Sequence, residues 1–451
     1  MLVHKFLGIC AVSCHRFNHT ALPLLATVAL LFSTPVFCSD LTETAKLTAP
    51  DGEGSDLFGE SVSISSKHAI VGAVGGDSDL FDGTGAAYIF PLLGGGSWGT
   101  PTKVLAPDGV ANDKFGTSVS IDGYYAIVGS PFDTNTALNS GSAYIFTYPF
   151  TDEPVKLVAS DGAARDVFGF SVSVSGDYAI VGAPTVAGAG SGPGAAYIFE
   201  RSESRWNEVQ ILRPDDGAEG DLFGYSVAIS GNHAIVGAPR RDSASHIDAG
   251  AVYFFMRTAA GIWEPVNMMV DPDGDDSDQF GWSVSIDGDL AIAGAPMHDE
   301  SVGADAGSAL VLRYWNSFWF PSEELEATDG AAGDQFGFSV SLSNNYAVVG
   351  SLKYSTSTGA AYVFQETSHP ADTALTDWQH TDRLVASDTS PWWFGTAVSL
   401  YGNMALVGAK GDDVNGYSSG SVYSYNIFAE PEPEPPSAGL PPGVILLLLG
   451  E

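Results

Sequence analysis

Two kinds of hydrophobic segment follow one another in a fixed order along this chain. Residues 225–230 alternate between apolar and small polar side chains, whereas residues 233–238 are almost entirely apolar. The alternation predicts a strand with one covered face, and the apolar run predicts a strand covered on both faces. Gly231-Asn232 between them suits a two-residue hairpin. An aromatic segment at 250–255 and more polar segments such as 209–212 predict a third strand and an outer fourth strand.

This unit of four strands is repeated seven times. A Phe-Gly pair marks each copy at intervals of 53 to 58 residues, at Phe58-Gly59, Phe115-Gly116, Phe168-Gly169, Phe223-Gly224, Phe280-Gly281, Phe336-Gly337 and Phe394-Gly395. A second glycine always follows 13 residues after the first, at Gly72, Gly129, Gly182, Gly237, Gly294, Gly350 and Gly408. Because no helical pattern separates the copies, the sequence predicts an all-β fold, a seven-bladed β-propeller of four-stranded antiparallel blades.

The two ends of the repeated region predict how the ring is closed. Residues 46–49 have the pattern of a fourth strand, whereas the last copy stops after a third-strand segment at residues 422–425. Each end supplies what the other lacks, so we expect the N-terminal strand to complete the last blade and close the ring. An open solenoid of the same units is the alternative architecture.

These motifs resemble the FG-GAP repeats of the integrin α-subunit propeller and of secreted or surface-anchored microbial proteins. The resemblance covers residues 41–428 and implies a propeller whose loop face binds a ligand. In integrin-like blades, the hairpin between the first two strands holds a calcium ion in an Asp-rich loop. The equivalent turns here, such as Ser175-Gly176-Asp177, are too short for that loop. The resemblance therefore does not bring those calcium sites with it.

The charge balance argues against several classes of partner. The chain has 18 Lys and Arg against 54 Asp and Glu, a formal net charge of −36. Such a surface opposes binding to nucleic acid and to anionic lipid. Protein and glycan ligands remain, and we expect the protein to be a monomer.

The two terminal segments differ from the repeats in composition. Residues 1–38 carry basic residues, an apolar run and then small residues, which predicts a secretory signal peptide, with a retained membrane anchor as the alternative. All three cysteines lie within it, so the mature chain is expected to lack disulfides. Residues 429–442 form a Pro/Glu-rich linker. Residues 443–451 are an apolar tail too short to span a bilayer, either the start of a truncated membrane anchor or a sorting signal. We therefore expect a secreted or cell-surface protein, with membrane tethering through the C-terminus as one option.

Acidic residues concentrate before the Phe-Gly pairs and in the loops between second and third strands. The densest run has five aspartates within residues 271–278. Their mutual repulsion is relieved if they spread out, if they are protonated or if a cation bridges them; the candidate cation is calcium, with Asp271, Asp273, Asp275 and Asp278 as its ligands. The loops supply candidate ligand-binding residues, namely Asp77, Asp79, Asp82, Asp299, Glu300, Asp305, Asp412 and Asp413. The simpler interpretation of both sets is turn capping and solvated acidic loops.

Catalytic motifs give little signal. Residues 416–420 match the spacing of a nucleophile elbow, but they lie in a predicted loop rather than between a strand and a helix. We expect a non-enzymatic protein that binds a protein or glycan ligand through its loop face, in adhesion or recognition. The alternatives are an extracellular hydrolase or lyase that uses acidic loop residues, and a structural spacer module.

Overall fold

The computed structural model confirms an all-β propeller with seven blades. It describes residues 39–76, 83–185, 192–203, 205–300, 302–352, 358–368, 376–388 and 392–427. The strands are Phe58–Ile64, His68–Ala73, Ala86–Pro91 and Thr102–Val104 in blade one; Val119–Asp122, Tyr125–Ser130, Ser142–Thr147 and Val155–Leu157 in blade two; Ser171–Ser175, Tyr178–Ala183, Ala195–Ser202 and Arg205–Leu212 in blade three; Ser226–Ser230, His233–Ala238, Ala251–Arg257 and Trp263–Met269 in blade four; Ser283–Asp287, Leu290–Ala295, Ser308–Trp315 and Phe318–Leu325 in blade five; Phe336–Ser343, Tyr346–Ser351, Ala360–Ser368 and Thr376–Val385 in blade six; and Phe394–Tyr401, Met404–Ala409, Ser421–Asn426 and Ala45–Leu47 in blade seven.

Helical structure is nearly absent from the part of the chain that the structure describes. A single 3-10 turn, Gly94–Gly96, lies between the third and fourth strands of blade one. Within the described residues, no helix has the length and apolar character needed to cross a bilayer.

The first strand of each blade is the innermost one. Each first strand packs against the first strand of the next blade, and that of blade seven packs against that of blade one. The blades therefore form a closed ring around a central channel, and the fourth strands lie towards the outside.

The beginning of the chain contributes strands to two blades. Ala45–Leu47 pairs antiparallel with the third strand of blade seven, with Lys46 opposite Tyr423. The preceding strand, Ser39–Thr42, pairs in parallel with the fourth strand of blade six. This fifth strand is absent from the sequence-based expectation because it has no counterpart in the other repeats. One N-terminal segment thus joins the last two blades.

The Phe-Gly pair forms a tight turn at the start of each first strand. Phe58 is fully buried, and the N–H of Glu60 donates to the carbonyl oxygen of Leu57 at 3.1 Å. Gly59 has a φ of +93°, which an L side chain rarely adopts. A Cβ on it would lie 2.7 Å from the carbonyl oxygen of Ser421 in blade seven. The same turn occurs in all seven blades.

The other repeated glycines lie at the contacts between blades. A Cβ on Gly129 would lie 1.9 Å from the carbonyl oxygen of Gly169 in the next blade. A Cβ on Gly141, which has a φ of +83°, would lie 2.0 Å from the carbonyl oxygen of Phe168. In each hairpin, the glycine of the Phe-Gly pair therefore faces the preceding blade, and the glycine 13 residues later faces the following blade.

The hydrophobic core is divided among the spaces between neighbouring blades. One cluster joins Ile198 and Leu212 of blade three to Phe223, Val236 and Trp263 of blade four. Second strands such as His233–Ala238 are buried along almost their whole length, because a blade covers each side. The near-continuous apolar pattern of these strands has this physical cause.

Candidate functional site

The segments that lead into the first strands and the loops between second and third strands lie on one side of the ring. The N–H of Arg165, ahead of blade three, donates to the carbonyl oxygen of Leu138 in the blade-two loop at 2.8 Å. The N–H of Gln335, ahead of blade six, likewise donates to the carbonyl oxygen of Asp305 at 3.1 Å. We call this side the loop face, and the side with the short hairpins the hairpin face.

A polar network recurs on the loop face and is most complete in blade two. Tyr144 and Lys156 are opposite one another on adjacent strands. The Tyr144 hydroxyl lies 2.8 Å from Asp108 and 3.1 Å from Asp133, and Lys156 Nζ lies 2.6 Å from each carboxylate. Burial alone would raise the pKa of Asp108, but hydrogen bonds from Lys156 and Tyr144 hold it below its ordinary value. Two acidic side chains thus share one cation and one phenol.

Five other blades keep the central part of this network. A tyrosine hydroxyl hydrogen-bonds an aspartate in the pairs Tyr88–Asp51, Tyr197–Asp161, Tyr253–Asp216, Tyr362–Asp329 and Tyr423–Asp388. A basic side chain reaches the same aspartate in each case, respectively Lys103, Arg213, Arg241, Arg383 and Lys46. A feature shared by six blades serves the scaffold, because the tyrosine ties each entry segment to the third strand of its own blade.

The second aspartate of each entry segment caps a turn. Oδ2 of Asp113 accepts the N–H of Val110 at 2.7 Å. The same contact is made by Asp56, Asp166, Asp221, Asp278 and Asp334. Turn capping, the simpler interpretation of this sequence pattern, is therefore correct for these six residues.

Blade five departs from the shared network. Leu310 stands where the other blades have tyrosine, and its cross-strand neighbour is Glu324, where blade two has Lys156. Asp271 stands where five other blades have an alanine, namely Ala49, Ala106, Ala159, Ala327 and Ala386. His298 comes four residues after the second glycine, the position of Asp133 in blade two. Blade five has therefore exchanged its phenol and its lysine for an apolar and an acidic side chain.

Asp271, His298 and Glu324 come together in blade five. One possible ligand atom from each lies within 4.8 Å of the other two. Nδ1 of His298 lies 2.8 Å from Oδ2 of Asp278. Its Nε2 lies 3.6 Å from Oε1 of Glu300 and 3.7 Å from Oε1 of Glu324. The site is enclosed, since Asp271 is 7% exposed and His298 6%.

Negative groups outnumber positive ones in this cluster. Burial, together with the charge of Glu324, raises the pKa of Asp271 to about 7, and burial also raises the pKa of Glu324. The hydrogen bond to Asp278 raises the pKa of His298 to about 9, although burial opposes it. Within the part of the chain that the structure describes, neither carboxylate oxygen of Asp271 has a hydrogen-bond donor. Buried carboxylates in this situation are costly unless a proton or a cation joins them.

Four aromatic side chains form a curved row at the loop-face end of the central channel. Phe170, Tyr225, Trp282 and Phe338 each follow a Phe-Gly pair, at the start of the innermost strands of blades three to six. The ring centroids of successive blades are 4.9, 4.7 and 5.7 Å apart, and all four rings are half-buried. We call this row the aromatic arc. Sequence reasoning missed it, although the signal is one residue beyond each Phe-Gly pair.

The loop residues predicted to bind a ligand belong to blades one, five and seven. Asp77, Asp79 and Asp82 lie outside the described residues. In blade five, Oδ1 of Asp299 accepts the N–H of Asp305 at 3.0 Å, so this carboxylate orders its own loop. Glu300 lies beside His298 in the cluster of blade five.

The predicted residues of blade seven also have local partners. Oδ1 of Asp413 accepts the N–H of Ser418 at 2.6 Å. Asp412 is buried and lies 3.0 Å from the Tyr423 hydroxyl and 2.7 Å from Lys46 Nζ. Asp412 therefore belongs to the shared network, and ligand binding by the predicted loop residues stays a prediction.

The four predicted calcium ligands are not equivalent in the structure. Asp271 joins His298 and Glu324, two residues that sequence reasoning missed. Asp278 is buried, and its Oδ2 accepts the N–H of Asp275 at 2.6 Å besides contacting His298. Asp273 and Asp275 are exposed. A calcium site made of all four aspartates stays a prediction.

Comparison with known proteins agrees with the repeat structure. The FG-GAP repeat family matches residues 41–90, 98–146, 151–199, 206–255, 263–312, 319–364 and 378–425. A chain of the solved structure described as "Crystal Structure of Mitotic Checkpoint Complex" is similar in fold, with a TM-score of 0.52 and 11% sequence identity over 92% of this chain and 100% of that chain. At this identity, the likeness shows the fold alone. No curated protein matches the sequence.

Proposed function

Since this chain belongs to the FG-GAP repeat family, we propose that it is a non-enzymatic recognition propeller, secreted or held at the cell surface, that binds a protein or glycan ligand at its loop face. The fold itself is shared by proteins with many functions, so the proposal depends on the site and not on the ring.

The aromatic arc is the observation that supports this function most directly. Aromatic rings give a ligand a large and rigid contact area at a small cost in conformational entropy. Here four of them are held in one row by the innermost strands and remain half-buried. On the opposite part of the channel, Glu60 forms an ion pair with Lys410 at 3.1 Å. One side of the channel mouth is thus apolar and the other side polar, as in many ligand sites.

The hydrolase or lyase alternative finds less support. Its best candidates are the carboxyl groups of Asp271 and Glu324, which lie close together and whose pKa values are both raised by burial. Such pairs are typical of acid–base catalysis. However, the Asp271 side chain is 7% exposed, so a polymeric substrate has no direct access to it. This cluster is better suited to a small ion.

A pair of tryptophan variants tests the role of the aromatic arc. The full chain is first applied to an array of oligosaccharides and to a panel of extracellular proteins, and the strongest ligand is then titrated. Trp282→Ala in the arc is expected to weaken binding at least tenfold, or about 1.4 kcal/mol. The matched control is Trp315→Ala, which removes a 73% exposed tryptophan next to a hairpin on the hairpin face. Unchanged affinity in Trp282→Ala, or an equal loss in the control, would contradict the proposal.

A further inference from the structure

We propose that Asp271, His298 and Glu324 of blade five bind one divalent transition-metal ion, for which zinc is the test case. This site is separate from the aromatic arc, and the proposal does not depend on the ligand that the arc binds. Three observations support it: the orientation of the histidine, a buried carboxylate to which the described residues give no hydrogen-bond donor, and the departure of blade five from its own repeat.

The histidine is held in the orientation that a metal ligand needs. Its Nδ1 is engaged by Asp278 at 2.8 Å, which leaves Nε2 directed towards Glu324 and Glu300. A carboxylate on one ring nitrogen fixes the tautomer and increases the basicity of the other, the usual arrangement behind a metal-bound histidine. Asp278 would thus support the site without touching the ion.

The described residues supply no hydrogen-bond donor to the carboxylate of Asp271. Asp271 is 7% exposed, both of its oxygens are without a donor among these residues, and the neighbours that act on it most strongly, Glu324 and Asp273, are themselves acidic. Oε1 of Glu324 is also buried without a donor from the described part of the chain. A cation among these oxygens and Nε2 of His298 would satisfy all three groups at once.

The repeat itself supplies the internal reference. In blade two, the equivalent space holds the Tyr144 hydroxyl and the Lys156 ammonium group between two aspartates. Blade five has neither, since Leu310 and Glu324 occupy those positions. The position that a protein cation fills in blade two is therefore open to an external cation in blade five.

The ligand chemistry selects the class of ion. Calcium prefers six to eight oxygen ligands and no nitrogen. One imidazole nitrogen and two carboxylates at mutual distances below 4.8 Å suit a smaller ion such as zinc, which often takes three protein ligands and one water molecule.

Titration calorimetry with zinc chloride tests the proposal. The full chain is freed of metal with a chelator, in a background where Cys10, Cys14 and Cys38 are changed to serine so that thiolates do not bind zinc. We expect one zinc ion per chain at the site, with weaker binding of calcium and magnesium chloride. Asp271→Ala is expected to weaken zinc binding at least 100-fold. Five other blades have alanine at this position, so the variant should fold, and circular dichroism checks this.

Two matched controls separate this site from other zinc-binding side chains. His298→Gln should remove zinc binding, whereas His246→Gln should retain it, although His246 lies 3.3 Å from Asp276. Asp275→Asn also removes one negative charge from this segment, but at an exposed residue outside the site, so this variant should retain zinc binding. The proposal is overturned if the parent chain binds no zinc, if it binds calcium more tightly, or if Asp271→Ala and His298→Gln bind zinc as the parent does.

Discussion

Blades two and five have the same backbone design and opposite polar chemistry. Both begin with the Phe-Gly turn, and both place a second glycine, Gly129 or Gly294, against the next blade with 1.9 Å between a built Cβ and a carbonyl oxygen. Yet the cross-strand pair is Tyr144 and Lys156 in one and Leu310 and Glu324 in the other. The ring thus depends on glycines and apolar side chains, and the polar layer on the loop face is free to differ.

The two blades also differ in how completely their charges are paired. In blade two, Lys156 lies between Asp108 and Asp133. In blade five, His298 faces several carboxylates, and Asp271 has no hydrogen-bond donor among the residues whose placement is described. A repeat that gives up a satisfied network in one copy does so at a cost in stability, and such exceptions concentrate at functional sites.

The largest expected effect is one that the two blades should share. Gly129→Ala and Gly294→Ala each drive a methyl group into the backbone of the next blade, and we expect each to reduce the free energy of unfolding by about 3 kcal/mol. Urea denaturation followed by circular dichroism measures it. A loss in one blade but not in the other would show that the joints between blades are not equivalent.

Exchanging the charges of the two blades should give effects of opposite sign. Lys156→Glu leaves Asp108 and Asp133 without their cation, and we expect a loss of about 2 kcal/mol. Glu324→Lys, measured in the presence of chelator, supplies a cation near Asp271 and is expected to gain about 1 kcal/mol. Urea denaturation of both variants provides the comparison. If both changes destabilise equally, blade five is not short of positive charge.

The smallest expected effect concerns stability in acid. The pKa of Asp108 is held below its ordinary value in the folded protein, so its contribution is complete above that ordinary value and is lost as the pH falls through the folded pKa. Asp108→Asn should therefore lose less stability than the parent chain between about pH 6 and pH 3. The difference should stay below about 1 kcal/mol because 54% of the Asp108 side chain is exposed.

Thermal unfolding across this pH range, with Asp275→Asn as the matched variant in blade five, checks the prediction. The Asp275 side chain is 74% exposed and is not a member of the tyrosine–lysine network. This variant should therefore change the loss of stability in acid less than Asp108→Asn does. If the melting temperatures of the parent and of Asp108→Asn fall equally with pH, the network does not contribute to stability in acid.

The scaffold was predictable from the sequence because its causes are local and repeated. Every copy needs a glycine at a φ near +90° and a buried phenylalanine, so the Phe-Gly pair recurs in every copy. The blade-five cluster was not predictable in this way. Asp271 and Glu324 are far apart in sequence, and the significance of Glu324 emerges once the strand register places it opposite Leu310.

The five aspartates within residues 271–278 predicted a calcium site whose ligands are close together in the sequence. In the structure, Asp273 and Asp275 are exposed whereas Asp271 and Asp278 are buried, and the charge of Asp273 acts on both Asp271 and Glu324. The aromatic arc was within reach of sequence reasoning. Phe170, Tyr225, Trp282 and Phe338 share one repeat position, and comparing that position across all seven copies would have revealed it.

The paired glycines at the blade joints also bear on how such a protein can diversify. Gly129 and Gly141 attach both ends of the blade-two loop to the backbone of blade three. The length and composition of the segment between them are thereby uncoupled from the geometry of the ring. Insertions at that point would change the loop face and leave the ring intact. The loop between the second and third strands is therefore the place in each blade where a new binding specificity can evolve or be grafted.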